Sequence, residues 1–226
     1  MRYPSIPYFG ELDEKEFMGL LSSDVQVFEK LDGGNTQIEV RNDGTVRHGL
    51  RSGSVNRKTS GRVSWADDFN AFFWSNCGRF RDLEKGMVYF LEFLAPHHVV
   101  YHDEFVNMAF LIDAYSTDNA RFVDYDEAWE RASPVHDIIH KAELLHKGPV
   151  DDKTLLKILN RKSRLAVNGI GEGIVIKDYG SRHQSFTKII HPFYESYHYS
   201  HLSKEKKNKM PEYTAKGLKK YLEQLC

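Results

Sequence analysis

The stretch Val25-Gln26-Val27-Phe28-Glu29-Lys30-Leu31-Asp32-Gly33-Gly34-Asn35-Thr36-Gln37-Ile38-Glu39-Val40 decides how this chain folds. Val25 to Phe28 reads as a strand that runs into Lys30, and Gly33-Gly34 then allows close backbone approach. Thr36 to Val40 alternates at period two, and Asn42-Asp43-Gly44 is a strong turn signal before Thr45-Val46 resumes, so a hairpin directly follows the lysine. Upstream, Leu12 to Ser22 reads as a short amphipathic helix. Downstream, Ala66 to Trp74 reads as helix, Met87 to Ala95 and Phe105 to Tyr115 as buried strands, and Tyr125 to Lys147 as helix with a break near Pro134. Asp151 to Leu165 reads as a further helix, Gly173 to Asp178 and Phe186 to His191 as strands, and Ser203 to Leu225 as a Lys-rich helix. Strands arrive as hairpins and scattered pieces without regular strand–helix alternation, which predicts an antiparallel-rich α+β architecture.

The chain has 226 residues, a formal net charge of -1, 41% hydrophobic and 28% charged residues. At roughly 100–200 residues per domain this suggests one catalytic unit with a short appendage, divided here as 1–195 and 196–226. The longest apolar run, Met87 to Leu91, stops at Glu92, so no membrane span is expected. Cys77 and Cys226 suggest no disulfide framework, and with no apolar leader after Met1 the expected setting is a reducing, cytoplasmic one. The net charge does not advertise a nucleic-acid binder, so any such role must rest on local patches. Two exist: Arg47, Arg51, Arg57, Lys58 and Arg62 in one acid-free stretch, and Arg161-Lys162-Ser163-Arg164.

Lys30 is bracketed by Glu29, Asp32 and Gly33, a setting in which a lysine can serve as a covalent nucleophile. At its ordinary pKa of about 10.4 the ammonium cannot attack, so further positive charge or a metal should stand near it. Lys30-Leu31-Asp32-Gly33 matches K-x-D-G, and Glu172-Gly173-Ile174-Val175-Ile176-Lys177 matches an acid and glycine followed by three apolar residues and lysine. Tyr89 to Phe93 is a strand carrying Glu92, Phe110 to Asp113 is an apolar-Asp strand, and Lys188 stands in Phe186 to Ile190. In this order and separation these markers resemble the covalent nucleotidyltransferase superfamily of ATP-dependent DNA and RNA ligases and mRNA capping enzymes. Asn35, five positions after the lysine, and Arg51 in a small-residue turn resemble the RNA ligase 2 and RNA-editing ligase branch. About 35 residues follow His191, too few and too charged for an OB barrel, which agrees with that branch.

The resemblance implies an antiparallel-sheet adenylation domain of the ATP-grasp-like DNA/RNA ligase type, without an OB domain and with a short helical tail. It implies ATP and Mg2+, with Mn2+ as an alternative, and RNA as partner, either a nicked duplex or tethered ends. DNA is a further acceptor to consider, as is a protein partner supplying substrate binding. Lys30 would attack the α-phosphorus of ATP, the AMP would pass to an RNA 5′-phosphate, and a 3′-hydroxyl would displace it. Lys177 and Lys188 would neutralise phosphate charge, and Lys177 would also help keep Lys30 neutral by repulsion. Glu172 would hold the metal, with Asp32 as a second metal-binding candidate. Glu29 would contact the adenine edge and Glu92 a ribose hydroxyl, with Leu31 and Arg51 in the nucleotide site. Asn35, Arg51 and Arg57 would face nucleic acid. Two positions depart from the pattern. Ile112 stands where relatives carry an aromatic, so either it or Phe110, expected on the same strand face, packs on adenine. Ile190 replaces a second lysine after Lys188. The competing readings are a DNA nick ligase, a capping-type guanylyltransferase, and a binding module that has lost turnover.

Overall fold

The computed structural model of the protein describes residues 1–51, 65–95, 97–180 and 184–194, together with Lys204, Gly217, Leu218 and Lys220. In chain order the helices and strands are α1 (Glu14–Ser22), β1 (Gln26–Glu29), β2 (Gly34–Val40), β3 (Val46–Leu50), α2 (Trp65–Phe80), β4 (Met87–Phe93), β5 (Ala109–Ser116), β6 (Arg121–Phe122), α3 (Tyr125–Arg131), β7 (Ile139–Lys141), β8 (Leu144–Lys147), α4 (Asp152–Leu159), β9 (Gly173–Asp178) and β10 (Ser185–Ile190). The chain is a mixed helix-and-sheet protein whose strand pairs are antiparallel except β5 with β7. It divides into two compact units, each with one sheet.

The first unit takes in Met1–Pro4, Asp32–His97 and Tyr101–Ala142. Its sheet runs β3-β2-β4-β5-β6, with β7 added alongside β5. The predicted hairpin forms, with Val40 paired to Val46 and Ile38 to His48. Alternation along β2 separates two faces: Thr36, Ile38 and Val40 are buried, while Asn35, Gln37 and Glu39 are half-buried. α2 lies on the first of these faces. Its Phe69 and Phe73 rings pack on His48, Phe69 also meets Phe93, and each fully buried phenylalanine contributes roughly 2 kcal/mol. Between Phe90–Asp113 and Leu91–Leu111 the β4–β5 register slips, leaving Ile112 as a bulge residue with no partner on β4. The regular alternation on which Phe110 is expected to share a strand face with Ile112 is interrupted between them. The bulge shifts the alternation by one, so Phe110 and Asp113 are the residues across from Glu92 and Phe90.

The second unit takes in Ser5–Leu31, His98–Val100 and Glu143–Cys226. Its sheet runs β10-β9-β1-β8, and β1 is buried at all four positions because strands flank it on both sides and both its faces are covered. α1 starts at a capping box: Asp13 accepts from the Glu16 amide at 2.8 Å, and the Glu16 carboxylate accepts from the Asp13 amide at 3.0 Å. Such a cap contributes about 1 kcal/mol, and the helix buries Phe17, Leu20 and Leu21. α4 is capped in the same sense by Asp151.

Three sequence expectations are corrected. The helix expected over 125–147 stops at Arg131. Pro134 sits in a 3-10 turn, and Ile139–Lys141 and Leu144–Lys147 become strands. Lys, Ala, Glu and Leu favour helix there, but pairing with β5 and β1 outweighs a propensity of a few tenths of a kcal/mol per residue. The helix expected to Leu165 ends at Leu159, because the Ser163 side chain caps the amides of Leu165 and Ala166 in a turn instead. The strand expected from Phe105 begins at Ala109, after a 3-10 turn at Asp103–Phe105. The C-terminal helix lies outside the described residues except at Lys204, Gly217, Leu218 and Lys220, all four helical. Among the described residues no helix is long and apolar enough to cross a membrane.

Candidate active site

In the second unit, register places the lysines. Lys177 pairs with Gln26 and with Phe186, and Val175 pairs with Phe28 and with Lys188. The pairing continues past the strand, since the Lys30 amide donates to the Gly173 carbonyl at 2.9 Å. By alternation Gln26, Phe28 and Lys30 then share one face with Lys177 and Lys188. Lys177 stands four residues along the strand from Lys30, about 13 Å between backbones at about 3.3 Å per residue. Its ammonium lies over the Phe28 and Phe186 rings at 5.1 and 5.8 Å, and Lys188 lies 4.2 Å over the Tyr8 ring. A face with three ammonium groups offers a polyanion distributed positive charge.

The Lys30 ammonium is 2.5 Å from Glu172 Oε2, with the lysine side chain 20% exposed and the glutamate 3%. A carboxylate at that distance favours the charged form of the lysine, so the contact holds Lys30 as a donor rather than a nucleophile. Glu172 precedes Gly173, whose φ is +156°, and a Cβ there would lie 2.1 Å from the Ile189 carbonyl oxygen. Only glycine lets β9 start this close to β10 with Glu172 turned onto Lys30.

Glu29 points to the other side of β1. Its carboxylate accepts from Ser163 Oγ at 2.5 Å and from Arg161 at 3.3 Å, and Arg161 also bridges to Glu143 at 2.6 Å. Burial pushes the Glu29 carboxyl up from its ordinary value, against the opposing pull of the Ser163 hydrogen bond and the Arg161 charge. Leu31 is buried.

In the first unit, Glu92 is the centre. It accepts from the Gly33 amide at 3.0 Å and the Asn35 side-chain amide at 3.4 Å. Asn35, Glu92, Phe110 and His140 form a cross-strand row over β2, β4, β5 and β7, with the Phe110 and His140 rings 5.2 Å apart. Gly33 is required for this turn, because a Cβ would lie 2.3 Å from the Phe93 carbonyl oxygen. Asp32 is buried and pairs with His97 Nδ1 at 2.6 Å, while its amide donates to the Tyr101 hydroxyl at 2.6 Å. Asp113, fully buried, accepts from the Tyr3 hydroxyl at 2.5 Å, and burial followed by the Asp113 charge raises the Tyr3 hydroxyl well above its ordinary range. Arg51 is exposed and its amide donates to the Asn35 carbonyl at 3.1 Å. Arg57 lies outside the described residues.

The predicted residues thus assemble in two groups: Lys30, Glu172, Lys177 and Lys188 on one sheet, and Asn35, Glu92, Phe110 and Arg51 on the other. Sequence reading missed Ser163, Arg161 and Glu143 around Glu29, Tyr101 and His97 around Asp32, Tyr3 on Asp113, and Tyr8 under Lys188. The Arg161–Arg164 basic patch was the only signal for the first set, and it reads as a charged loop because its partner Glu29 is 132 residues away.

A family model for RNA ligase matches residues 23–190. No curated protein matches the sequence. Among solved structures, the fold resembles Naegleria gruberi RNA ligase with PPi, at 15% identity and a TM-score of 0.61, covering 88% of this chain and 58% of that one. An arginine-to-alanine mutant of the same ligase with ATP and Mn gives 16% identity, a TM-score of 0.61 and the same coverage. A further mutant, with AMP and Mn, gives 14% identity and a TM-score of 0.58, covering 84% of this chain and 56% of that one. The chain therefore spans less than two thirds of the length of these structures. With most of its length matched by the family model, this chain belongs to the RNA ligase family.

Proposed function

We propose that the chain is an ATP-dependent RNA ligase that joins a 3′-hydroxyl to a 5′-phosphate through AMP carried on Lys30. The observation that carries this is the Lys30–Glu172 pair at the head of a sheet face that also bears Lys177 and Lys188. Membership in the RNA ligase family supports RNA as acceptor. The adenylation domain would be of the ATP-grasp-like type and run over 1–195, with 196–226 as a helical appendage.

In the first step the Lys30 amine forms a bond to the α-phosphorus as the bond to pyrophosphate breaks, and the ammonium proton must leave beforehand. Taking Glu172 away from Lys30 removes the anion that favours the ammonium. Glu172 fits a divalent cation, since a buried carboxylate at the end of a strand presents a hard oxygen, and a bound Mg2+ or Mn2+ would neutralise developing phosphate charge. Lys177 and Lys188 would hold the phosphates in line. The AMP then moves to the RNA 5′-phosphate, freeing Lys30, and the 3′-hydroxyl displaces AMP. Glu92, tied to Gly33 and Asn35, is preorganised to accept from a ribose hydroxyl.

Incubation with α-labelled ATP and Mg2+ should leave label on the denatured wild-type chain that survives alkali and is released by acid, as a lysine phosphoramidate requires, and none on Lys30→Ala. Label on the alanine variant would sink the reading. Nicked duplexes with RNA or DNA on each side of the nick, and GTP in place of ATP, separate RNA ligation from DNA ligation and guanylyl transfer.

A further inference from the structure

We infer that a groove on the α2 side of the six-stranded sheet is an additional contact site for single-stranded RNA, stacking one base on Trp74 with Arg81 toward the neighbouring phosphate. This rests on RNA being the substrate class proposed above. The groove measures about 480 Å3, within the range that takes a nucleoside, and is bounded by Asp43–Thr45 and Val46 at the start of β3, by Phe73, Trp74 and Cys77 of α2, and by Arg81 just after that helix. Trp74 and Cys77 stand at i and i+3 on α2, so one stripe of the helix faces it, and Arg81 follows at the helix's C-terminal end.

Trp74 is 63% exposed, the most exposed aromatic ring among the large hydrophobic side chains described. Its indole is nonetheless held in one orientation by T-shaped contacts to His48 at 5.9 Å and Phe73 at 5.2 Å. A ring that is both exposed and fixed is a stacking platform, because little side-chain freedom is lost when a base lies on it. Two cations stand at the groove's edge. Arg81 lines the groove, and a Cβ on Gly44 would lie 3.8 Å from the Lys85 ammonium, whereas Arg47 pairs with Glu39 and stands on the opposite face of the sheet. Of the acids at this turn, Asp43 accepts from the Thr45 amide at 2.8 Å, and Asp118 accepts from the Asn42 side-chain amide at 3.3 Å. An exposed aromatic with an arginine beside it in the same groove complements a base and its phosphate better than an apolar protein surface. His48 pairs with Ile38 and lies on the α2 face of the sheet, so the groove is on the face opposite Asn35, Glu92 and Phe110. RNA held there is held apart from those residues.

The test uses the full chain and a ten-nucleotide oligouridylate without a 5′-phosphate, so that no adenylyl transfer to RNA can occur. Wild type should bind it, Trp74→Phe should keep most of the affinity, and Trp74→Ala should weaken it by about 5- to 150-fold, the range for one stacked base. Arg81→Gln should lower the slope of log K against log salt by about 0.7. In a Cys226→Ser background the oligonucleotide should slow thiol labelling of Cys77. Equal binding by wild type and Trp74→Ala, or Cys77 labelling unaffected by the oligonucleotide, overturns the inference. Wild-type adenylylation is measured separately. A chain that takes no label from ATP but binds the oligonucleotide through Trp74 defeats the ligase reading and leaves the groove standing. One that takes label but binds without Trp74 does the reverse.

Discussion

Replacing Gly173 with alanine perturbs the junction from which both Glu172 and the lysine-bearing strands are placed. The added Cβ would lie 2.1 Å from the Ile189 carbonyl oxygen, 2.9 Å from Ile190 Cα and 3.0 Å from the Ile189 carbonyl carbon. All three atoms are backbone of β10, so no side-chain rotation relieves them, and β10 must retreat by about 1.3 Å to reach the ordinary contact distance of 3.4 Å. Overpacking of this kind costs about 1–3 kcal/mol, and the backbone at φ +156° adds about 1–3 kcal/mol for a residue with a Cβ. Together these predict a fall in Tm of at least about 4 °C for a chain of this size. Lys188 precedes Ile189 on the displaced strand, and a shift of about 1 Å in a positioning group can cost about 100-fold in rate. Thermal unfolding followed by circular dichroism reads the first effect. Label uptake from α-labelled ATP, measured below the melting transition, reads the second. A Gly173→Ala chain that melts within about 2 °C of wild type and takes up label at the wild-type rate would refute the argument from close approach.

Two further outcomes follow from the buried acids. Tyr3→Phe leaves the Asp113 carboxylate without the hydroxyl that donates to it, at a cost of about 1–3 kcal/mol, and should lower Tm by about 2–12 °C; an unchanged melting curve would show that this hydrogen bond carries no stability. Glu29, whose folded-state pKa is raised mainly by burial, binds its proton more tightly folded than unfolded. Its contribution is therefore full below its ordinary value of 4.5 and is lost as pH rises through the folded value. Glu29→Gln keeps the shape and removes the titration, so wild type should lose stability relative to the variant as pH climbs above 4.5, and parallel stability curves for the two would contradict the assignment.

By itself the sequence determined the pieces whose signal is local. The period-two run Thr36 to Val40 with Asn42-Asp43-Gly44 specifies a hairpin because its hydrogen bonds close within a few residues, and β9 was legible to the residue at Gly173–Asp178. The motif residues Lys30, Glu172, Lys177 and Lys188 were legible as candidates because their order and spacing along the chain are themselves the signal. Tertiary structure decided the rest. Residues 139–147 carry helix-favouring side chains yet form β7 and β8, since strand partners supplied by distant segments outweigh a weak local preference. The bulge at Ile112, which assigns Phe110 and Asp113 to the Glu92 face, exists only when β4 and β5 are paired. The partners of Glu29, Asp32 and Asp113 come from residues 65 to 134 positions away, distances at which no pattern in a single sequence marks them. For the same reason K-x-D-G names Lys30, while the carboxylate of Glu172, 142 residues on, determines that Lys30 rests as a paired ammonium.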